Sequence, residues 1–367
     1  EIQLLPDKSL ENNYSGNVID ICPVGALTDR HFRFQCRVWY LNKTNSVCNG
    51  CSRGCNITIE TNAERPHHAE GRRVMRLKPR YNPEVNQWWI CDIGRYGFEF
   101  IDSPSRLAGC LEKQETLQRP IEWNEAIQRV SEKLSTALQH GGADSVVIVA
   151  SPQLTNEDFF LMRRLFVEEL GISQIDYKVP EPHLASGDNM LLQADRHPNT
   201  WGAQVILQTG KGFDLPQIMN SPQDKNGTLL CLFEQDLVGK LGEEAGKRFL
   251  SGFEYVIYVG HSENETSMLA DLILSSATYA EVDGTFTNFE GRVQRIRQAV
   301  EPLGDSLPTW QIVARLAESM GKPFPMKTSE EIFNALADRV SEFKNLSYAK
   351  VSDRGAKIGE PALSKES

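Results

Sequence analysis

Three cysteines stand within eight residues, Cys48-x2-Cys51-x3-Cys55, and a fourth, Cys91, follows 35 residues after the third. This spacing constrains the chain more than any other feature. A tight loop turns neighbouring side chains inward, so it can present three thiolates to one small cage. A distant segment must then close the cage with the fourth. Gly50 and Gly54 let the backbone wrap closely and bring amide N–H groups toward the sulfurs. Three-plus-one spacing points to an iron–sulfur cluster. A four-cysteine zinc site more often reads as two symmetric pairs, and that alternative stays open. Unrelated core thiols do not usually cluster in this way.

The remaining cysteines read differently. Cys36, Cys110 and Cys231 lack partners and are expected to be ordinary thiols. Cys22 stands in GNVIDICPVGALTD. A Cys-Pro pair often ends a ferredoxin-type ligand set, yet no three-cysteine set precedes it, so on residues alone a lone core thiol is the simpler reading. No secretory signal opens the sequence, which disfavours a disulfide framework. The first residue is Glu rather than Met, and the expectation is that a front part has been removed or lies on another polypeptide.

Composition closes off other classes. The chain has 367 residues, with 39 basic against 49 acidic and a net charge of -10, a poor match to a nucleic-acid binder. No window holds eighteen consecutive apolar residues, so direct membrane insertion is not expected. Length allows one large or two modest domains.

The first hundred residues are rich in Cys, Gly, Asn and Arg, with brief strands expected at 33–40, 56–61 and 74–77. From about residue 105 the pattern becomes α/β. Helices are expected at 121–138, from Thr155 or Asn156 to Leu170, at 237–250, 263–272, 308–320 and 329–343. Strands are expected at 145–150, 205–208, 228–233 and 255–259. Strand and helix alternating at this interval imply a parallel sheet covered by helices. The tail after Lys350 is polar and expected to fray. Asp283-Gly284 and Glu290-Gly291 read as tight turns, and His67-His68 as a solvated turn. Thr155-Asn156-Glu157 reads as a helix cap rather than a phosphate contact. Trp39, Trp88 and Trp89 fit either a water shield near the cysteines or ordinary core.

GNVIDICPVGALTDRHFRFQCRVWYL, VCNGCSRGCNI and RVMRLKPRYNPEVNQWWICDIGRYGFEFI together resemble the large iron–sulfur subunit of bacterial respiratory complex I, the NADH-quinone oxidoreductase. AEVDGTFTNFEGRVQRIRQAVEPLGDSLPTWQIVARLAESMG resembles the molybdopterin-oxidoreductase-like domain of the same family. The resemblance implies that Cys48, Cys51, Cys55 and Cys91 hold one complete [4Fe-4S] cluster. It also implies that Cys22 is one ligand of a second [4Fe-4S] cluster, shared with an N-terminal ferredoxin-like part. The implied fold is a small iron–sulfur module of short strands followed by a molybdopterin-oxidoreductase-like doubly wound α/β domain. The divisions would fall at 1–45 (end of the ferredoxin-like region), 46–104 (cluster module), 105–350 (α/β domain) and 351–367 (flexible tail).

Two departures argue against molybdenum chemistry. IDYKVPEPHLASGDNM contains no cysteine where molybdenum relatives carry a metal ligand, and neither His183 nor Ser186 is a convincing substitute. Ile93 stands where those enzymes often carry a lysine that bridges cluster to pterin. No molybdopterin is therefore expected. The implied function is electron transfer and scaffolding in the peripheral arm of a proton-pumping NADH-quinone oxidoreductase, with no catalytic site of its own. The implied partners are other peripheral-arm subunits, including the flavin/NADH-binding subunit and the missing ferredoxin-like part. The implied location is the cytoplasmic side of the bacterial inner membrane, peripherally held. The alternatives are a formate-dehydrogenase-type molybdenum subunit and a non-redox zinc-binding structural subunit.

Overall fold

The computed structural model describes residues 6–7, 9–65, 67–179, 186–207 and 228–358. Two differently built regions pack together. The first centres on a three-stranded antiparallel sheet, β1 (Asn42–Val47), β2 (Asn56–Thr61) and β3 (Val74–Pro79), in that spatial order. The loop carrying Cys48, Cys51 and Cys55 is the connection between β1 and β2. A short helix, α1 (Asn17–Ile21), precedes the sheet and α2 (Asp92–Tyr96) follows it. The segment expected as a strand at 33–40 instead forms turns and a 3₁₀ turn at Val38–Tyr40. Its exposed Phe34, Val38 and Trp39 have no neighbouring strand to pack on.

The second region is a seven-stranded sheet. An edge hairpin, β4 (Cys110–Gln114) and β5 (Leu117–Ile121), runs antiparallel to the rest. The other five strands are parallel neighbours: β6 (Val146–Ala150), β7 (Ile175–Asp176), β8 (Leu229–Phe233), β9 (Tyr255–Gly260) and β10 (Leu272–Ser275). Their spatial order is β7-β6-β8-β9-β10, so the chain reverses direction across the sheet between β6 and β8. Such reversal is the doubly wound pattern, and it opens a crevice at the carboxyl ends of the strands.

Period-two alternation builds both faces of this sheet. Val146, Ile148 and Ala150 join one apolar cluster with Cys231, Ile257 and Val259, while Val147 and Val149 join the opposite one with Leu230 and Leu232. The first face is covered by α3 (Trp123–Gly141), α4 (Asn156–Met162), α5 (Thr200–Leu207), α8 (Thr309–Ser319) and α9 (Ser329–Arg339). The second is covered by α6 (Leu237–Leu241) and α7 (Glu243–Leu250). Cys110 and Cys231 lie in the first core, and burial pushes each thiol up to about 12.

Helix boundaries have local causes. Gly142, at φ 70, ends α3. Thr155 caps α4 through a reciprocal capping box with Asp158, and the helix continues as a π-helical stretch over Arg163–Glu169. Residues 205–207 belong to α5 and not to a strand, and residues 263–272 form a 3₁₀ turn leading into β10 instead of a helix. Short apolar runs have no periodicity of their own, so packing decides between the two states. Gly284 opens β11 (Gly284–Thr287), so Asp283-Gly284 is not a tight turn, whereas Glu290-Gly291 lies in the turn between β11 and β12 (Arg292–Ile296). A two-residue strand, β13 (Ala356–Lys357), pairs with β12 within the tail expected to fray.

Polar contacts join the two regions. Arg106 and Glu281, both fully buried side chains, pair at 2.8 Å. Arg73 pairs with Glu281 at 2.8 Å and with Asp102 at 2.7 Å. Breaking such a pair from one side strands a buried charge and costs about 3–5 kcal/mol.

Candidate metal centre

The β1–β2 loop brings Cys48, Cys51 and Cys55 together with Cys91, which reaches the site at the start of α2. All four are only 4–5% exposed. Cys48 N–H donates to the Cys55 carbonyl at 2.8 Å and closes the loop at its base. Burial, then the charges of the other thiols, raises the Cys48 and Cys55 thiols far above their ordinary range. Cys91 is raised as well, first by burial. Protonated thiols in such a place await a metal, because metal binding replaces the proton.

Two amides point at the sulfurs. Gly50 N–H donates to Cys48 Sγ at 3.4 Å, and Gly94 N–H to Cys91 Sγ at 3.4 Å. A Cβ on Gly94 would lie 2.8 Å from Cys48 Sγ, so only glycine lets α2 approach this closely. Gly94 went unremarked in the sequence; its signal is the Cys-x2-Gly spacing. Gly54 serves another purpose than bringing an amide to sulfur. At φ 64, it lets the loop dock on the β11–β12 hairpin, where a Cβ would meet Gln294 Oε1 at 2.6 Å.

A strap from the α/β region covers the site. Leu192 packs on Cys51 and Cys91, with Tyr14 against them. Tyr14 hydroxyl donates to Asp188 at 2.7 Å and accepts from the N–H groups of Leu191 and Leu192. Ser52 N–H donates to the Asp195 carbonyl at 2.9 Å. Nothing in the local sequence links residues 14, 188 and 192, so this cover was invisible before folding. Of the three tryptophans, Trp39 and Trp88 are exposed, Trp88 stacked on Tyr81, and only Trp89 packs against the module core. Ile93 is exposed, as is Ser186, and His183 lies outside the described residues.

Cys22 lies apart, just past the end of α1. The amides of Leu27, then Val24, Ala26 and Gly25, hold its thiol below the ordinary range. Its helix is tied to the Cys91 helix by Arg95, which pairs with Asp20 at 2.6 Å, and Asp20 also takes Lys78 at 2.8 Å.

Among the described residues, no three His, Cys, Asp or Glu side chains converge tightly enough for a single ion. A tetrahedral zinc needs its sulfurs about 3.8 Å apart, and a polynuclear cage holds them wider. Four mutually coupled thiols, two sulfur-directed amides and a glycine wall fit the cage.

Residues 41–103 match the family described as molybdopterin oxidoreductase Fe4S4 domain. Residues 1–28 match the ferredoxin-like domain of NADH-quinone oxidoreductase subunit 3, and 243–319 match molybdopterin oxidoreductase. An NADH-quinone oxidoreductase subunit from Rickettsia conorii is 23% identical over 98% of this chain and 69% of its own length. The chain is a homologue of the large iron–sulfur subunit of complex I. The mitochondrial NADH-ubiquinone oxidoreductase 78 kDa subunit of Neurospora crassa is 24% identical over 87% of this chain. The chain spans 57% of that relative's length. Acetylene hydratase from Pelobacter acetylenicus shares the fold, at TM-score 0.58 and 11% identity, over 87% of this chain and 74% of the other. This complex I homologue thus has the iron–sulfur module and doubly wound domain of the molybdopterin oxidoreductase fold, and the Fe4S4 match supports [4Fe-4S] binding in the module.

Proposed function

We propose that the chain is an electron-transfer and scaffold part of the peripheral arm of a proton-pumping NADH-quinone oxidoreductase. Cys48, Cys51, Cys55 and Cys91 hold one complete [4Fe-4S] cluster. Cys22 supplies one ligand of a second, shared with ferredoxin-like residues beyond this chain. The observation that carries the reading is the pocket of four buried, mutually coupled thiols inside the segment matched by the Fe4S4 family.

A [4Fe-4S] cluster, when bound, takes up and returns one electron. The protein's part is to hold it, keep water out and set its potential. Gly50 and Gly94 N–H groups offset charge on the sulfurs and raise the potential. Leu192 and Tyr14 exclude water. Electron tunnelling needs no acid or base, so no residue is assigned a catalytic role. The amide nest at Cys22 supports a thiolate there, and exposed Ile21, Val24, Phe34 and Trp39 supply apolar surface along the same segment for a neighbouring subunit.

Neighbouring subunits, the flavin/NADH-binding one among them, hold the chain on the cytoplasmic side of the bacterial inner membrane. Among the described residues no helix is long and apolar enough to cross a membrane. The units are 1–45, 46–104 and 105–350, with a tail at 351–367. No molybdopterin is held.

The test is iron, zinc, molybdenum and acid-labile sulfide on anaerobically purified chain, with an EPR spectrum after dithionite reduction. About four irons and four sulfides per chain without molybdenum are expected. Zinc near one per chain with no sulfide overturns the electron-transfer role.

A further inference from the structure

A cavity of about 260 Å³ lies between the cysteine loop and the carboxyl ends of the parallel strands. Asn49 of the loop forms one wall. The segments following β6, β8, β9 and β10 form the others. This is the crevice at the strand-order reversal, where doubly wound folds commonly seat an anionic group on the N-terminus of the first helix. A molybdopterin, which carries a phosphate, would need that arrangement.

Here the arrangement is inverted. The first helix after β6 is α4, and its N-terminus is already filled by Asp158. The Asp158 carboxylate accepts from Thr155 N–H at 2.9 Å and from the Thr155 hydroxyl at 2.7 Å. No lysine or arginine lines the cavity, while Asp158, Glu234 and Asp283 do. A phosphate would meet carboxylates where it needs donors. The residues present do not fit the pterin.

Two polar atoms on the cavity wall lack partners. The Tyr279 hydroxyl has none, in a residue 7% exposed. Asp158 Oδ1 has only the Trp310 N–H nearby, outside hydrogen-bonding geometry, in a residue 5% exposed. The other two carboxylates are already engaged. Glu234 contacts His261 and accepts from the Ser276 hydroxyl, and Asp283 lies 4.0 Å from Arg295. Asp158 is thus the lining carboxylate without an ion-pair partner among the described residues. Phe286 and Trp310 add aromatic wall, which suits an apolar body and a cationic head.

We propose that this cavity binds a small amphipathic monocation, an amine or amidine on a compact apolar body, with its head on Asp158 Oδ1 and the Tyr279 hydroxyl. The experiment uses benzamidine as the cation and inorganic phosphate and guanosine monophosphate as anions. Each is titrated into the purified cluster-loaded chain by calorimetry. Saturable binding of benzamidine alone is expected. Asp158→Asn keeps an acceptor for the Thr155 cap, so the helix start survives, and it should weaken binding about tenfold or more, the size of a lost charged hydrogen bond. Tyr279→Phe, which leaves Asp158 untouched, should weaken it by a smaller factor and serves if the first variant fails to fold. Binding of phosphate or the nucleotide in place of benzamidine overturns the proposal. So does benzamidine binding that both variants leave unchanged, or no binding by any probe.

Discussion

The cysteine module and the α/β domain are held together by different physics. The α/β sheet buries whole strands on both faces, and its residues alternate between two apolar clusters. Hydrophobic burial alone suffices to explain its order. The module has three short strands, a smaller apolar cluster, and polar cross-links such as Asn82 to Asn56 at 2.6 Å and Arg76 to Glu60 at 2.5 Å. Its centre is four thiols that gain nothing from meeting unless metal joins them. One region carries its own reason to fold, and the other depends on what it binds and on its neighbour.

Removing a ligand should separate the two most sharply. Cys51→Ser is expected to abolish the cluster's EPR signal and leave the module open to limited proteolysis, while the α/β domain survives as a resistant fragment. Simultaneous digestion of both regions would show that the difference is illusory. A cut in the opposite region comes next. Phe159 is fully buried in α4, and Phe159→Ala should cost about 3–5 kcal/mol in denaturant unfolding while the EPR spectrum below the transition stays unchanged. A changed spectrum in the folded state would mean that the domain's core shapes the cluster site.

The smallest effect is a pH dependence confined to the α/β side. Glu157 is buried beneath β11, accepting from Thr285 N–H at 2.8 Å and the Tyr348 hydroxyl at 2.9 Å. Burial outweighs these donors and raises its carboxyl from 4.5 to about 7. The folded state then binds a proton more tightly than the unfolded state. Its contribution is fullest below 4.5 and is lost as pH climbs toward 7. The loss amounts to about 3 kcal/mol at most. Glu157→Gln should remove this slope, seen as a stability difference from the parent chain that grows in the variant's favour between pH 4.5 and 7. A difference that stays constant across that window would refute the assignment.

Much of the framework was readable before folding. Strand 56–61 and the core strands at 145–150 and 255–259 carry enough β-branched or apolar character to commit alone, and the structure places strands at Asn56–Thr61, Val146–Ala150 and Tyr255–Gly260. The helices at 121–138 and 308–320 repeat their apolar positions often enough to do the same, and appear as Trp123–Gly141 and Thr309–Ser319. Misreadings fell where a segment had too few residues to show a period. Val205 to Leu207 is apolar enough for a strand, yet Ala203, Ile206 and Leu207 share a helical face against the domain core. Residues 33–40 have strand-like chemistry without a strand to pair with.

The cysteine spacing and the α/β alternation, then, were settled by the sequence itself, because both depend on neighbours a few residues apart. The cover of Leu192 and Tyr14 over the sulfurs, the close approach of Gly94, the Arg106–Glu281 link and the acidic cavity were decided only by tertiary structure. Each joins residues far apart along the chain, and only the packed whole brings them within reach.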